Sequence, residues 1–160
     1  DKDSCIIPEV INNNVYLIHR KCPDIWISRT ECFPNGWHDH RVIIRHWGEK
    51  IGLAGQPVKL GKDWLIIIHC KKEKRYYLCF AILDGNNPYK VKYVYTDPIL
   101  EPKLDCEKKG NVDNVVFSCA TVDMGEVYYI YWGGADTVIC GGLLEKKILL
   151  SYLEKKGRLL

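Results

Sequence analysis

The sequence predicts an all-β chain that ends in one helix. Three observations carry that reading. β-Branched and aromatic residues concentrate in short runs, which favours strands over helices. The runs fall into three successive segments of similar layout. The one stretch with helical periodicity is the tail, residues 143–157. There, from about Leu144 to Lys156, Ile148, Leu149, Tyr152 and Leu153 share an apolar face, and Gly157 stands where a C-cap belongs.

Each of the three segments has its own elements. In the first, Ile7-Pro8 and the turn Asn12-Asn13-Asn14 precede a strand at Val15–Arg20 and another at Asp24–Ser28. In the second, Pro57-Val58 and Gly61-Lys62-Asp63 precede Trp64–His69 and Tyr76–Leu83. In the third, Val115–Phe117 and Asp123-Met124-Gly125 precede Val127–Trp132 and Thr137–Cys140. Serial meanders of about four short strands fit the blades of a β-propeller. Here they make one partial domain with blades at about 1–50, 51–105 and 106–142. A closed propeller needs at least roughly four blades. Three therefore imply part of a propeller, or a chain that associates to close one. A plain β-sandwich is the competing architecture on pattern alone.

Bulk properties narrow the function classes. The chain has 160 residues, the size of one domain, and 47% hydrophobic content. The net charge is +3, and no basic run is interleaved with aromatics, so no nucleic-acid partner is expected. No span long and apolar enough for a membrane occurs, and no secretory leader precedes the first strand, so a cytoplasmic protein is expected. The opening Asp1-Lys2-Asp3 carries no methionine, as in a processed chain or a piece of a longer one. None of the eight cysteines forms a C-x-x-C pair, and Cys70, Cys79, Cys119 and Cys140 sit in apolar runs. Free structural thiols are expected, with neither disulfides nor a zinc site.

Polar residues stand at corresponding elbows of the three meanders: His19-Arg20, His69 and Asp136. A lone histidine at a strand end is more often structural than catalytic, and propeller elbows are often polar because they are wet. Three in matching places suggest a shared site that brings them together. Lys50-Ile51-Gly52-Leu53-Ala54-Gly55 adds a positive charge beside glycines that admit close approach. It lacks the strand-loop-helix setting of a phosphate-binding loop, and an ordinary flexible loop reads equally well. Trp26, Tyr76, Tyr77, Tyr131 and Trp132 offer flat faces suited to the C–H face of a sugar, although most such rings belong to cores. The glycines before Asp136 would leave room for the ring. No Ser-His-Asp order and no metal triad stands out, so no catalytic nucleophile is assigned.

Several motifs occur together and in order. Tyr131-Trp132-Gly133-Gly134-Ala135-Asp136-Thr137-Val138-Ile139 resembles the Y-Y-G-A-A-D-T-V-I run of the mannoside phosphorylases, glycoside hydrolase family 130. Pro98-Ile99-Leu100-Glu101-Pro102, Glu107 to Gly110, Asn114-Val115-Val116-Phe117, Asp63-Trp64-Leu65 through His69, Lys50-Ile51-Gly52 with Gly55 and Pro57, and His19-Arg20 with Pro23-Asp24-Ile25-Trp26 are similar to further motifs of that family. The resemblance implies a five-bladed β-propeller of which this chain covers about three blades. It implies inverting phosphorolysis of β-mannosides to mannose 1-phosphate, with some relatives acting as hydrolases. It implies no cofactor, with inorganic phosphate as co-substrate and a β-mannoside oligosaccharide as substrate.

Carried over by position, Lys50 and His69 match residues that hold phosphate and the sugar, and Tyr77 matches a phosphate-side tyrosine more loosely. Asp136 matches the carboxylate that binds the mannose hydroxyls, and Arg20 and Asp24 lie in a motif bordering the site. The family's catalytic aspartate lies in an N-terminal half that has no counterpart here. A homo-oligomer, or that missing half, is the expected partner. The alternative reading is a truncated, non-catalytic carbohydrate-binding or scaffold module. The chain departs from the family pattern at Cys70, Trp132 and Gly134, and at Cys140-Gly141-Gly142 after Ile139.

Overall fold

The computed structural model describes residues 1–156, so Gly157 and the cap expected there lie outside the described residues. The chain builds three antiparallel sheets in sequence order. The first contains β1 (Lys2–Ile6), β2 (Val15–Lys21), β3 (Asp24–Thr30) and β4 (His38–Ile44), paired in that order. The second contains β5 (Lys50–Leu53), β6 (Val58–Leu60), β7 (Asp63–Lys72), β8 (Arg75–Leu83) and β9 (Val91–Leu100). Both β5 and β6 pair with β7, at its two ends. The third contains β10 (Val116–Asp123), β11 (Val127–Gly134) and β12 (Val138–Glu145). Among the described residues, two helices complete the fold: α1 (Asp105–Lys108), a single turn ahead of the third sheet, and α2 (Lys146–Lys156).

The middle sheet is buried on both faces, which explains its unbroken apolar runs. Successive side chains of a strand point to opposite faces. Trp64, Ile66, Ile68 and Cys70 of β7 pack with Ile18, Ile25 and Ile27 of the first sheet. Leu65 and Ile67 pack with Val116, Tyr128 and Ile130 of the third. The three sheets are thus layered in series, with one apolar core on each side of the middle one.

The tail differs from expectation in its boundary. Leu143, Leu144 and Glu145 belong to β12, opposite Tyr129, Tyr128 and Val127, and the helix begins only at Lys146. The strand pairing outweighs a weak helical pattern in which Leu144 already serves the sheet core. Leu149 is fully buried and Tyr152 and Leu153 pack beside it, whereas Ile148 is exposed. All eight cysteines are free thiols.

Candidate functional site

The elbows of the first two sheets meet around Gly52. On β5, Gly52 stands directly opposite His69 of β7. A Cβ on Gly52 would fall 2.3 Å from Asp3 Oδ2 and 2.7 Å from the His69 ring, so only glycine admits this approach. Asp3 reaches the spot from β1, where its φ is +53° and the β1–β2 register slips between Lys2 and Cys5. Its Oδ2 lies 3.2 Å from Arg20 Nε and 3.4 Å from His69 Nε2.

Charge accumulates here. Arg20 is 2% exposed and His69 is fully buried. Arg20 Nε and Nη1, Asp3 Oδ2 and His69 Nε2 are all buried without an aligned hydrogen-bond partner, although the ion-pair contacts are close. A buried permanent charge with unmatched N–H groups is costly, and an anionic ligand would relieve that cost. Burial, followed by the positive charges of Arg20 and Lys50, holds the His69 pKa down to about 3. At neutral pH His69 is therefore a neutral donor or acceptor, and the positive charge of the pocket comes from Arg20 and Lys50. Lys50 opens β5, half-buried, opposite Lys71.

His19 does not join this cluster. Strand alternation turns it to the other face of β2, where its Nδ1 lies 2.9 Å from an Asp1 carboxylate oxygen and its ring meets His40 edge-on. Asp24 sits near Arg20 at the same end of the sheet. It accepts hydrogen bonds from the His46 backbone N–H at 3.0 Å, His46 Nδ1 at 3.0 Å and Arg45 Nη1 at 3.1 Å. Burial opposes its ionisation, but the His46 and Arg45 donors outweigh that and keep its pKa below the usual carboxylate range. Asp24 therefore ties down the segment that leads from β4 into Lys50.

Tyr77 lies on the wrong face for a shared pocket. It pairs with Cys70 and is buried in the core between the first two sheets, where burial pushes its hydroxyl pKa up. Its neighbour Tyr76, half-buried, falls on the His69 face. Tyr76, His69 and Phe117 form an aromatic group, with His69 and Phe117 ring centroids 4.2 Å apart and Tyr76 and Phe117 5.8 Å apart. Tyr76, one of the candidate sugar-facing rings, lies on this face with Phe117 of the Asn114–Phe117 motif, and Asp3 joins them without any signal in the sequence. The Tyr76 backbone N–H donates to the Asn114 carbonyl, which joins the second elbow to the third sheet.

Asp136 lies in the β11–β12 turn. Ala135 and Asp136 both have positive φ, +47° and +51°, and Thr137 N–H donates to the Gly134 carbonyl at 3.0 Å, as in a type I′ hairpin turn. The turn is anchored below, since Ala135 N–H donates to the Val115 carbonyl. Asp136 is exposed, and no described residue engages its carboxylate. Gly134 serves packing rather than ligand space: a Cβ there would meet the Cys106 carbonyl oxygen at 3.0 Å and Cys140 Sγ at 3.3 Å. Among the described residues, no group of three His, Cys, Asp or Glu side chains is arranged to hold a metal ion.

The family model described as beta-1,4-mannooligosaccharide phosphorylase matches residues 2–154. A 1,2-beta-oligomannan phosphorylase of Thermoanaerobacter sp. (strain X514) is 39% identical over 153 residues, which is 92% of this chain and 51% of that protein. A beta-1,2-mannobiose phosphorylase of Listeria innocua is 35% identical over 170 residues, 99% of this chain and 48% of that one. The solved complex of a Listeria innocua beta-1,2-mannobiose phosphorylase with beta-1,2-mannobiose superposes with a TM-score of 0.88 at 33% identity, over 96% of this chain and 46% of that one. A glycosyl hydrolase of Bacteroides ovatus shares the fold at a TM-score of 0.74 and 16% identity, over 91% of this chain and 49% of that one. The chain spans about half the length of the curated relatives it matches.

Proposed function

Because the chain belongs to the beta-1,4-mannooligosaccharide phosphorylase family, glycoside hydrolase family 130, we propose that it forms one wall of a β-mannoside phosphorylase site. In this reading the three sheets are three blades of a five-bladed propeller. The observation that carries it is the convergence of Arg20, Lys50 and His69 on Gly52, with Arg20 N–H groups buried and unmatched.

Phosphate is held by the charges of Arg20 and Lys50 and by the neutral His69 imidazole. Charge-assisted hydrogen bonds of this kind contribute roughly 1.5–3 kcal/mol each. Tyr76 replaces Tyr77 as the tyrosine on this face. Asp136 accepts hydrogen bonds from mannose hydroxyls, for which a carboxylate has two acceptor oxygens. A phosphate oxygen bonds to the anomeric carbon as the glycosidic C–O bond breaks, with inversion. The leaving sugar oxygen takes a proton supplied by an aspartate outside the matched half. The products are mannose 1-phosphate and the shortened saccharide.

A second reading is a non-catalytic carbohydrate-binding module, for which the exposed Asp136 carboxylate and the exposed rings of Tyr129 and Tyr131 would supply sugar contacts. One experiment separates the two. Beta-1,2- and beta-1,4-mannobiose are incubated with and without phosphate, using this chain alone and mixed with the N-terminal half of the Listeria innocua relative. Phosphate-dependent mannose 1-phosphate from the mixture, and none from the chain alone, is expected. Turnover by the chain alone would place the catalytic machinery elsewhere. Saccharide binding with no turnover in either case would favour the binding module.

A further inference from the structure

We propose that Asp3 is a positioning residue of the anion pocket: its carboxylate, set over Gly52 between Arg20 and His69, fixes the Arg20 guanidinium by its Nε edge and leaves the terminal nitrogens to the phosphate. The proposal rests on the phosphate reading above and deepens it.

The backbone is built to deliver this carboxylate. Asp3 has φ +53°, a conformation an aspartate tolerates better than most residues but still at a cost. It sits where the β1–β2 register slips, between the pairs Lys2–Arg20 and Cys5–Ile18. Such an irregularity re-aims a side chain, here off the edge of the first sheet and onto the second. The space it enters exists only because residue 52 has no Cβ. Three local departures from regular structure converge on one oxygen atom.

The contacts define what that oxygen does. Asp3 Oδ2 is 3.2 Å from Arg20 Nε and 3.4 Å from His69 Nε2, and the Asp3 side chain is 11% exposed. Arg20 presents five N–H donors in a fixed plane, so a contact at the Nε edge orients all the rest. Nη1 is buried and unpartnered, and the Nε contact with Asp3 is a close ion pair without hydrogen-bond alignment. A planar fork whose Nε edge faces a carboxylate and whose Nη1 has no partner keeps donors in reserve for an oxyanion. Outer partners of this kind orient the groups that bind ligand, and their loss costs affinity although they never touch it.

The sign of the effect makes the proposal testable. By charge alone, removing a carboxylate beside a phosphate site should strengthen phosphate binding. If Asp3 positions Arg20, removing it should weaken binding. Asp3→Asn is expected to weaken phosphate binding by the 160-residue chain about tenfold, measured by calorimetry, with Asp3→Glu restoring most of it. The Arg20 Nε–H resonance is followed in the same proteins without phosphate. It should be resolved in the wild type and in Asp3→Glu, and broadened or displaced in Asp3→Asn. Tighter phosphate binding in Asp3→Asn would overturn the proposal by making Asp3 a competitor of phosphate. An Arg20 resonance indifferent to Asp3→Asn would overturn it whatever phosphate does. A resonance lost in Asp3→Asn with no phosphate binding by any of the three proteins would uphold the positioning of Arg20 and remove the phosphate reading instead.

Discussion

The Trp132 indole N–H donates to Glu107 Oε1 at 2.9 Å, and both side chains are buried. The other carboxylate oxygen accepts the backbone N–H groups of Lys103 and Leu104 at 2.8 and 2.9 Å. Burial opposes the charge on Glu107, yet these donors outweigh it and keep its pKa below the usual range. The pair ties α1 to β11, the strand that delivers the Asp136 turn. Trp132→Phe removes one donor from a buried carboxylate. It should cost about 1.5–3 kcal/mol, read as a lower midpoint in urea. A midpoint within error of wild type would show that the tie contributes nothing net.

A second expectation concerns pH. The pKa of His69 in the folded state lies near 3, below its ordinary 6.5, chiefly through burial. The unfolded chain therefore binds more protons between those values, and stability falls as pH drops through that window. The slope from one such group reaches about 1.4 kcal/mol per pH unit. Burial lowers the His19 pKa in the same direction. The melting temperature should fall between pH 6.5 and 5, above the range where most carboxylates titrate, and fall less in His69→Gln. Equal slopes in the two proteins would remove His69 from the account.

The outer edge of the third sheet carries a third expectation. Among the described residues, strand β12 has no partner beyond β11, and Ile139 is 87% and Leu143 61% exposed. Tyr129 and Tyr131 stand stacked and exposed on β11. Unpaired, apolar edges invite pairing with another chain. The 160-residue chain should self-associate at micromolar concentration, and Ile139→Lys should reduce this. Light scattering that shows a stable wild-type monomer would contradict it.

Lys50 and Asp136 should fail differently in a turnover-competent assembly. Lys50→Ala removes a charged donor, so it should raise the KM for phosphate about tenfold or more and leave the mannoside KM little changed. Asp136→Asn keeps one acceptor oxygen and should weaken or misplace the mannoside, with a loss in kcat beyond the loss in binding. If Lys50→Ala leaves phosphate dependence untouched, Lys50 is an ordinary strand-end lysine.

Some of this was legible in the sequence, and the reasons are particular. The all-β class and the three meanders followed from β-branched runs separated by turn residues. Lys50 and His69 are named by the motifs that carry them, and the β5–β7 pairing that sets Gly52 opposite His69 is seen only in the structure. Tyr77 is named only through a loose motif match, and β8, apolar on both faces, shows no alternation from which its side-chain direction could be read. Asp3 was invisible because its placement depends on a positive φ and a register slip, which composition does not encode. The start of α2 was misplaced because Leu143 and Leu144 suit a strand and a helix equally well.

The central claim is that Arg20, Lys50 and His69 form one anion pocket. The most direct measurement is a phosphate titration of the 160-residue chain, followed through the side-chain NMR signals of His69. The account predicts a saturable shift of those signals with millimolar phosphate, absent in Lys50→Ala, and a rise in the His69 pKa once an anion lies beside it. His69 signals that stay fixed while phosphate is raised to saturating levels would contradict it.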